Sequence, residues 1–165
     1  SSIDSIFGHK ELFISINIET QNAIANIDAI LEVSQEKVKN ITIGRTDLSR
    51  SYLDPAIQPD SSFIFDLIEQ LSAKVNASGL TFTIGGSLTS DSIELLQHLK
   101  TNLDKRITSI ETRKVILPGD KMLENTDALK ESIYFEELYL QYKLECETWF
   151  SKLDQQRLIK LKTRI

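Results

Sequence analysis

The chain of 165 residues has a mass of 18.7 kDa and is 41% hydrophobic, which indicates one folded domain with at most an appendage and argues against wholesale disorder. Its 19 basic and 24 acidic residues give a net charge of −5, which argues against a nucleic-acid-binding face spread over the whole domain. A single cysteine excludes a disulfide framework and a cysteine-based zinc site, and no apolar run reaches the roughly 18 residues of a membrane span, so we expect a cytoplasmic protein.

The first part of the chain alternates short apolar runs with amphipathic stretches. Residues 12–19 are rich in Ile and Phe and predict a strand that is buried on at least one face. Residues 20–33 carry apolar side chains at helical spacing, and residues 38–44 predict a second strand. Two pairs of adjacent proline and aspartate predict a loop over residues 45–60.

Two more strand and helix pairs follow. Asp60 as N-cap and Gly79 as C-cap bound a second predicted helix. Residues 80–84 predict a third strand, residues 91–99 a helix, and a fourth strand lies within residues 106–117. Four alternations of strand and helix indicate βαβ units and a parallel sheet with right-handed crossovers.

The last part of the chain reads as one long helix over residues 121–150. One apolar stripe contains Phe135, Leu138, Tyr142, Cys146 and Trp149, and another contains Leu129, Ile133, Leu140 and Leu144. A surface helix usually needs only one stripe, so we expect contact with a second chain as well as with the parent domain. Residues 151–165 are basic, and we interpret them as a solvated helix face rather than a membrane or nucleic-acid tail, because no aromatic residues interleave with the charges.

Strand ends in the first and last parts of the sequence echo one another. Ile18-Glu19-Thr20 resembles Ile110-Glu111-Thr112, and Thr42-Ile43-Gly44 resembles Thr83-Ile84-Gly85. The spacing is not that of a solenoid repeat. We interpret these segments as similar strand ends that face a shared site.

Two carboxylates and a glycine turn are placed to form such a site. Glu19 ends the first strand, and Asp47 lies just beyond the second, so both carboxylates can meet at the carboxyl ends of parallel strands, where ligands bind. Two carboxylates with water suit Mg²⁺ or Mn²⁺, and the amides of Gly85-Gly86-Ser87 can hold a carboxylate or phosphate. By composition alone, helix caps or surface groups are the more frequent roles of such carboxylates.

Several motifs resemble those of the HpcH/HpaI aldolase and citrate lyase family. The similar segments are Ile16-Asn17-Ile18-Glu19-Thr20, Asn26-Ile27-Asp28-Ala29-Ile30, Ile43-Gly44-Arg45-Thr46-Asp47-Leu48-Ser49 and Thr83-Ile84-Gly85-Gly86-Ser87. The resemblance covers roughly residues 10–117 and implies an α/β fold in which four βα units form the C-terminal half of a TIM (β/α)₈ barrel, followed by a long C-terminal helical extension. We therefore divide the chain into a barrel half (residues 1–118) and an extension (residues 119–165).

The resemblance also implies a metal-dependent carbon–carbon lyase that acts on a 2-oxo acid or related carboxylate through a metal-stabilised enolate. Glu19 and Asp47 would bind the Mg²⁺ or Mn²⁺, and Thr46, Asp47, Gly85, Gly86 and Ser87 would bind the substrate. Arg45 replaces the small residue usual in pyruvate aldolases, and it could pair with Asp47 or take a catalytic role by binding a substrate carboxylate or phosphate. The family's base and its enolate-stabilising arginine lie in the first barrel half, outside this sequence, so we expect the chain alone to be inactive.

Two other functions stay open at this point. One is a non-catalytic assembly or interaction module that retains the barrel scaffold, and the other is an acyl-CoA lyase of the citrate lyase beta-subunit type. Half a barrel would leave two open sheet edges and an uncovered inner face, so we expect association with an N-terminal half-barrel or with a second copy of the chain. Strand alternation predicts that this inner face contains Ile14, Ile16, Ile18, Ile41, Ile43, Phe82 and Ile84.

Overall fold

A computed structural model describes residues 12–34, 36–98 and 107–163 of the chain. The elements, in chain order, are β1 (Ser15–Ile18), α1 (Gln21–Ala25), α2 (Ile27–Ser34), β2 (Asn40–Gly44), α3 (Arg45–Ser51), α4 (Ser62–Ala77), β3 (Thr81–Gly85), α5 (Ser90–His98), β4 (Ser109–Glu111), β5 (Ile116–Pro118), α6 (Gly119–Glu124) and α7 (Thr126–Lys162). The fold is mixed α/β, with one sheet and a long C-terminal helix.

The sheet has the strand order β1-β2-β3-β4-β5. The first four strands are parallel, as predicted, but β5 is antiparallel to β4. The single fourth strand expected within residues 106–117 is therefore wrong. The run is interrupted by a turn in which the Thr112 amide donates to the Val115 carbonyl at 2.8 Å. The barrel half itself stays a prediction.

One face of the sheet is apolar and is covered by helices of the same chain. Ile41, Ile43, Phe82, Ile84 and Ile110 are at most 1% exposed. They belong to a single buried cluster with apolar side chains of the helices, including Ile27, Leu31, Ile64, Ile68, Leu71, Val75, Ile93 and Leu96. The prediction that this isoleucine face is the uncovered inside of a barrel is wrong, because the amphipathic helices pack on it.

The opposite face of the sheet is polar and is organised around Asn40, which is 5% exposed. The Asn40 amide donates to Ser15 Oγ at 2.7 Å and to Thr42 Oγ1 at 3.1 Å. Its carbonyl oxygen accepts from the hydroxyls of Thr81 at 2.8 Å and Thr83 at 3.1 Å. Both donors and both acceptor positions of the amide are used, and the network ties three strands together in one register.

Three predicted helix boundaries are corrected. The expected loop over residues 45–60 begins with α3, which follows β2 directly without a side-chain N-cap bond. The N-cap of α4 is Ser61 rather than Asp60. The helix predicted over residues 20–33 is split at Asn26, whose side-chain amide donates to the Asn22 carbonyl at 2.8 Å.

The long C-terminal helix packs on the body only near its start. The helix predicted over residues 121–150 is α6 followed by α7, and α7 continues to Lys162. Leu129 is 2% exposed and Ser132 is 3% exposed. From Ile133 onward every side chain of α7 is exposed or only half-buried, including both predicted stripes apart from Leu129. Within the described residues, no helix combines the length and the apolar character needed to cross a membrane.

Candidate functional site

The carboxyl ends of the four parallel strands form one row across the sheet. Ile18 pairs with Ile43 and Gly44 pairs with Gly85, while Ile84 pairs with Ile110. The next residues along the outer strands are Glu19 and Glu111. The row therefore reads Glu19, Gly44, Gly85, Glu111, with two glutamates flanking two glycines.

The two glycines leave room for the glutamate side chains. A Cβ atom at Gly44 would lie 2.7 Å from Glu19 Cγ, and one at Gly85 would lie 2.6 Å from Glu111 Cγ. Such distances are far below van der Waals contact, so each glutamate occupies the space that a side chain at its neighbouring glycine would need. Both side chains thus lean inward over the end of the sheet.

A strand-end cleft of about 510 Å³ lies above this row. Its lining residues are Glu19, Gly44, Thr46, Asp47, Arg50, Gly86, Ser87, Leu88, Glu111, Thr112, Arg113, Ile133 and Glu136. Both glutamates of the echoed segments border it, so these similar strand ends face one cleft. The cleft brings together Glu19, Thr46, Asp47, Gly86 and Ser87 of the predicted site residues.

The charged groups of the strand-end cleft are mainly acidic. Asn17 Nδ2 donates to Glu19 Oε1 at 3.1 Å. Asp47 Oδ1 lies 3.6 Å from Arg50 Nη1. Burial raises the pKa of Glu111 above its usual range, and the nearby Glu19 carboxylate raises that pKa further. The two glutamates therefore repel one another across the two glycines, which disfavours the charged form of Glu111.

The Gly85–Gly86–Ser87 turn packs directly on the start of α3. Gly86 and Ser87 have φ angles of +88° and +47°. A Cβ atom at Gly86 would lie 2.8 Å from the Thr46 nitrogen and 2.9 Å from the Arg45 nitrogen. The Thr46 hydroxyl donates to Ser87 Oγ at 2.7 Å. Only a glycine permits this approach, and it places the Thr46 and Ser87 hydroxyls together at the edge of the cleft.

Arg45 lies elsewhere than expected. Its side chain is 0% exposed and its Nη1 atom pairs with Asp60 Oδ1 at 2.6 Å, so the alternative pairing with Asp47 is wrong. The guanidinium also donates to the carbonyls of Gly85 at 3.3 Å and Gly86 at 2.7 Å. Burial lowers the pKa of Arg45, and Asp60 opposes that change. Arg45 is not among the residues that line the strand-end cleft.

Two parts of the site are not evident from the sequence. Glu111 and Arg113 both border the cleft, and of these two residues the sequence pattern marked only Glu111, through its echo of Glu19. Ile133 and Glu136 come from α7, which was assigned to a separate extension. No local sequence signal connects a residue of a distant helix to a strand end.

The donor chemistry of Glu19 and Asp47 fits a divalent cation. Among the described residues, no group of three or more His, Cys, Asp or Glu side chains is placed to hold a metal ion. Mg²⁺, however, usually takes only one or two protein carboxylates and keeps several water molecules. Glu19 and Asp47 both border the strand-end cleft, so the donor set matches that pattern in the number and type of its carboxylates.

Known proteins resemble this chain in structure rather than in sequence. Searches against protein-family models and against curated proteins find no match. A solved structure described as an HpcH/HpaI aldolase from Desulfitobacterium hafniense DCB-2 is similar to it, with 18% sequence identity, a TM-score of 0.48 and 62% of this chain covered. The match covers 36% of that aldolase, so the chain spans about a third of its length.

Proposed function

We propose that this chain supplies the metal-binding half of an aldolase-like carbon–carbon lyase that acts on a 2-oxo acid or related carboxylate. The observation that carries the proposal is the strand-end cleft, where Glu19 and Asp47 border the same space as Glu111. The reaction class comes from the resemblance of the motifs around Glu19 and Asp47 to those of the HpcH/HpaI aldolases.

Each residue of the cleft has a role that follows from the chemistry of its side chain. Glu19 and Asp47 hold Mg²⁺ or Mn²⁺, which when bound acts as a Lewis acid toward a substrate carbonyl. The Thr46 hydroxyl donates to Ser87 Oγ at 2.7 Å, which leaves the proton of the Ser87 hydroxyl to donate to the substrate carboxylate. Arg45 is a positioning residue, because its bonds to the carbonyls of Gly85 and Gly86 fix the turn that carries Ser87.

Paramagnetic broadening by Mn²⁺ tests the metal site, since it detects weak binding. In the 165-residue chain, Mn²⁺ should broaden the amide NMR signals of Glu19 and of residues 44–47 first. Glu19→Gln and Asp47→Asn should each raise the Mn²⁺ concentration required by at least about tenfold. Glu136→Gln is the matched control, because Glu136 borders the same cleft from α7. Equal effects of all three substitutions would mean a diffuse acidic surface and would refute the assignment.

A non-catalytic assembly module is the alternative, and the exposed length of α7 favours it. The two functions differ in whether the cleft promotes proton loss from a 2-oxo acid. Deuterium exchange at the methyl group of pyruvate measures this. We expect no exchange from this chain alone with Mn²⁺ present, and exchange once a complementary N-terminal barrel half is added. Robust exchange by the chain alone would overturn the half-site proposal, and failure of the complemented protein to exchange would favour the assembly module.

A further inference from the structure

One face of α7 carries only uncharged side chains of its own and is largely exposed, although the body reaches it at Tyr139, where Lys114 Nζ lies 4.3 Å from the ring centroid. At about 100° per residue, positions three and four apart align on one face of a helix. The aromatic stripe, as we name it, contains Phe135, Leu138, Tyr139, Tyr142, Cys146, Trp149, Phe150 and Leu153. These eight positions fall within a sector of about 120°, and no charged residue lies in that sector between the first and the last of them.

The aromatic stripe exposes enough apolar surface to need a partner. Phe135 is 52% exposed, Tyr142 68%, Trp149 57% and Phe150 59%. At about 150–250 Å² for each aromatic side chain, these four leave on the order of 450 Å² exposed per chain. The leucines add to this, so the stripe approaches the roughly 800 Å² per partner of a standard interface. Most of the stability of a helix in a protein comes from the packing of its apolar face, which a second chain would supply to this segment.

The charges at the two ends of the aromatic stripe identify the partner. Glu131 lies in the same sector one turn before the stripe, and Arg157 and Lys160 lie in it just beyond the other end. A parallel pair of α7 helices would place like charges side by side at both ends. An antiparallel pair places Glu131 against the basic end of the second helix, so the stripe is complementary to a second copy of itself in one direction only.

We propose that two copies of this chain pair through their aromatic stripes, with the α7 helices antiparallel. Alignment of Glu131 with the partner's Lys160 brings Leu138 against the partner's Leu153 and Tyr142 against the partner's Trp149. The alignment that pairs the charged ends of the two helices therefore also pairs their apolar side chains, although the two sets contain different residues. In this register the two-fold axis passes next to Cys146, so the two copies of the only cysteine lie close together. The pairing does not depend on the proposed function of the cleft.

Charge reversal tests the register in the full-length chain. Sedimentation should show a dimer at micromolar concentration. Glu131→Lys and Lys160→Glu should each weaken the dimer about tenfold, since each places like charges together at both ends of the pair. The double variant restores opposite charges and should return the dissociation constant to within about threefold of the wild type. A monomer of 18.7 kDa at every concentration, or a double variant weaker than either single variant, would overturn the proposal.

Thiol crosslinking tests the direction of pairing. A short bismaleimide should link wild-type chains through Cys146. In the Cys146→Ser background, Gln156→Cys places the thiol away from the axis, where antiparallel pairing separates the two copies and parallel pairing brings them together. Crosslinking of this variant as efficient as that of the wild type would show a parallel pair and refute the proposal. Trp149→Glu should abolish crosslinking at Cys146, while Gln155→Glu, on the other face of α7, should leave it unchanged.

Discussion

Gly86 carries both a left-handed backbone and a close contact, which makes it the residue with the sharpest structural requirement in the strand-end cleft. Its φ angle is +88°, and a Cβ atom there would lie 2.8 Å from the Thr46 nitrogen. Gly79 offers a natural comparison, since its φ angle is +74° but no atom lies within 4 Å of a Cβ built there. Alanine substitutions at the two positions therefore separate the free-energy cost of the left-handed backbone from the free-energy cost of the steric contact.

Gly86→Ala should therefore destabilise the chain more than Gly79→Ala. The left-handed conformation alone costs a non-glycine residue about 1–2 kcal/mol, which is the loss expected for Gly79→Ala. Steric conflict with α3 should add about 1–3 kcal/mol for Gly86→Ala. Urea unfolding measures both losses. Equal losses would mean that the turn moves away from α3 at little cost.

Glu111 gives the strand-end cleft a measurable pH dependence. Burial, and then the Glu19 charge, raise the pKa of Glu111 in the folded chain. A carboxyl whose pKa is raised by folding stabilises the folded state below its unfolded pKa of about 4.3, and this contribution is lost as the pH rises through the folded pKa. In metal-free buffer, Glu111→Gln should therefore become more stable relative to the wild type as the pH rises from about 4 to 7. Solvent screening keeps the gain below about 1 kcal/mol.

The two causes of this shift are separable by removing the Glu19 charge. A carboxyl-carbon NMR titration of Glu19→Gln should show the pKa of Glu111 lower than in the wild type but still above its usual range, because burial is the larger cause. An unchanged pKa of Glu111 in this variant would show that the two carboxylates do not interact across the glycines.

The role of a single residue could be predicted where a sequence motif marks it. It could not be predicted where the role depends on a partner that only the fold brings close. Glu19 and Glu111 were recognisable as equivalent because each ends an Ile-containing strand in the same tripeptide context. The partner of Arg45 was not recognisable. Asp60 is an ordinary aspartate beside a proline, read as a helix cap, and only the folded chain brings its carboxylate 2.6 Å from the guanidinium.

At the scale of elements, Arg45 and Asp60 connect three parts of the cleft wall. The guanidinium at the start of α3 bonds to Asp60 before α4 and to the carbonyls of the turn after β3. The Ser92 hydroxyl of α5 lies 2.9 Å and 3.0 Å from the two Asp60 oxygens. A buried cation shared in this way needs its counter-charge, since an unpaired charge in the interior is costly.

Asp60→Ala should consequently destabilise the chain by about 3–5 kcal/mol, because it leaves the fully buried Arg45 without a carboxylate. Asp28→Ala is the matched control. It removes another ion pair of similar length, Lys74 with Asp28 at 2.7 Å, but there the side chains are 47% and 76% exposed. Its loss should stay below about 1 kcal/mol. Urea unfolding of both variants decides the point, and similar small losses would mean that water reaches the guanidinium.

The predicted helices and strands agree with the structure where hydrophobic spacing alone determines the element. The strands β1 and β2 lie within the predicted apolar runs, and β3 extends one residue beyond its run, because short Ile-rich segments fit a buried sheet. The helix α3 was missed, since its N-cap is Gly44, which has no capping side chain, and its sequence is mostly polar. The β4–β5 hairpin was read as one strand, because Arg113 and Lys114 look like the exposed residues of a continuous strand.

At the scale of the whole molecule, the boundary between the packed body and the exposed helix falls within α7 and not at residue 118. Met122, Leu123 and Leu129 belong to the same buried cluster as the sheet, although all three lie beyond residue 118. The apolar face of the sheet is likewise covered within one chain. In α7 after Ser132, by contrast, every described side chain is exposed or only half-buried. Any need for a partner therefore falls on the helix and not on the isoleucine face.

Hydrogen exchange at several chain concentrations tests this division. The amides of β2 and β3, each hydrogen-bonded to strands on both sides, should be equally protected at all concentrations, because their packing is internal. The amides of residues 133–162 should exchange rapidly in dilute solution, where an unpacked helix opens easily, and slow by about tenfold or more as the pairing of aromatic stripes becomes populated. Trp149→Glu should remove that concentration dependence without changing β2 or β3. Loss of protection in β2 and β3 on dilution would instead show that the sheet itself requires a second chain.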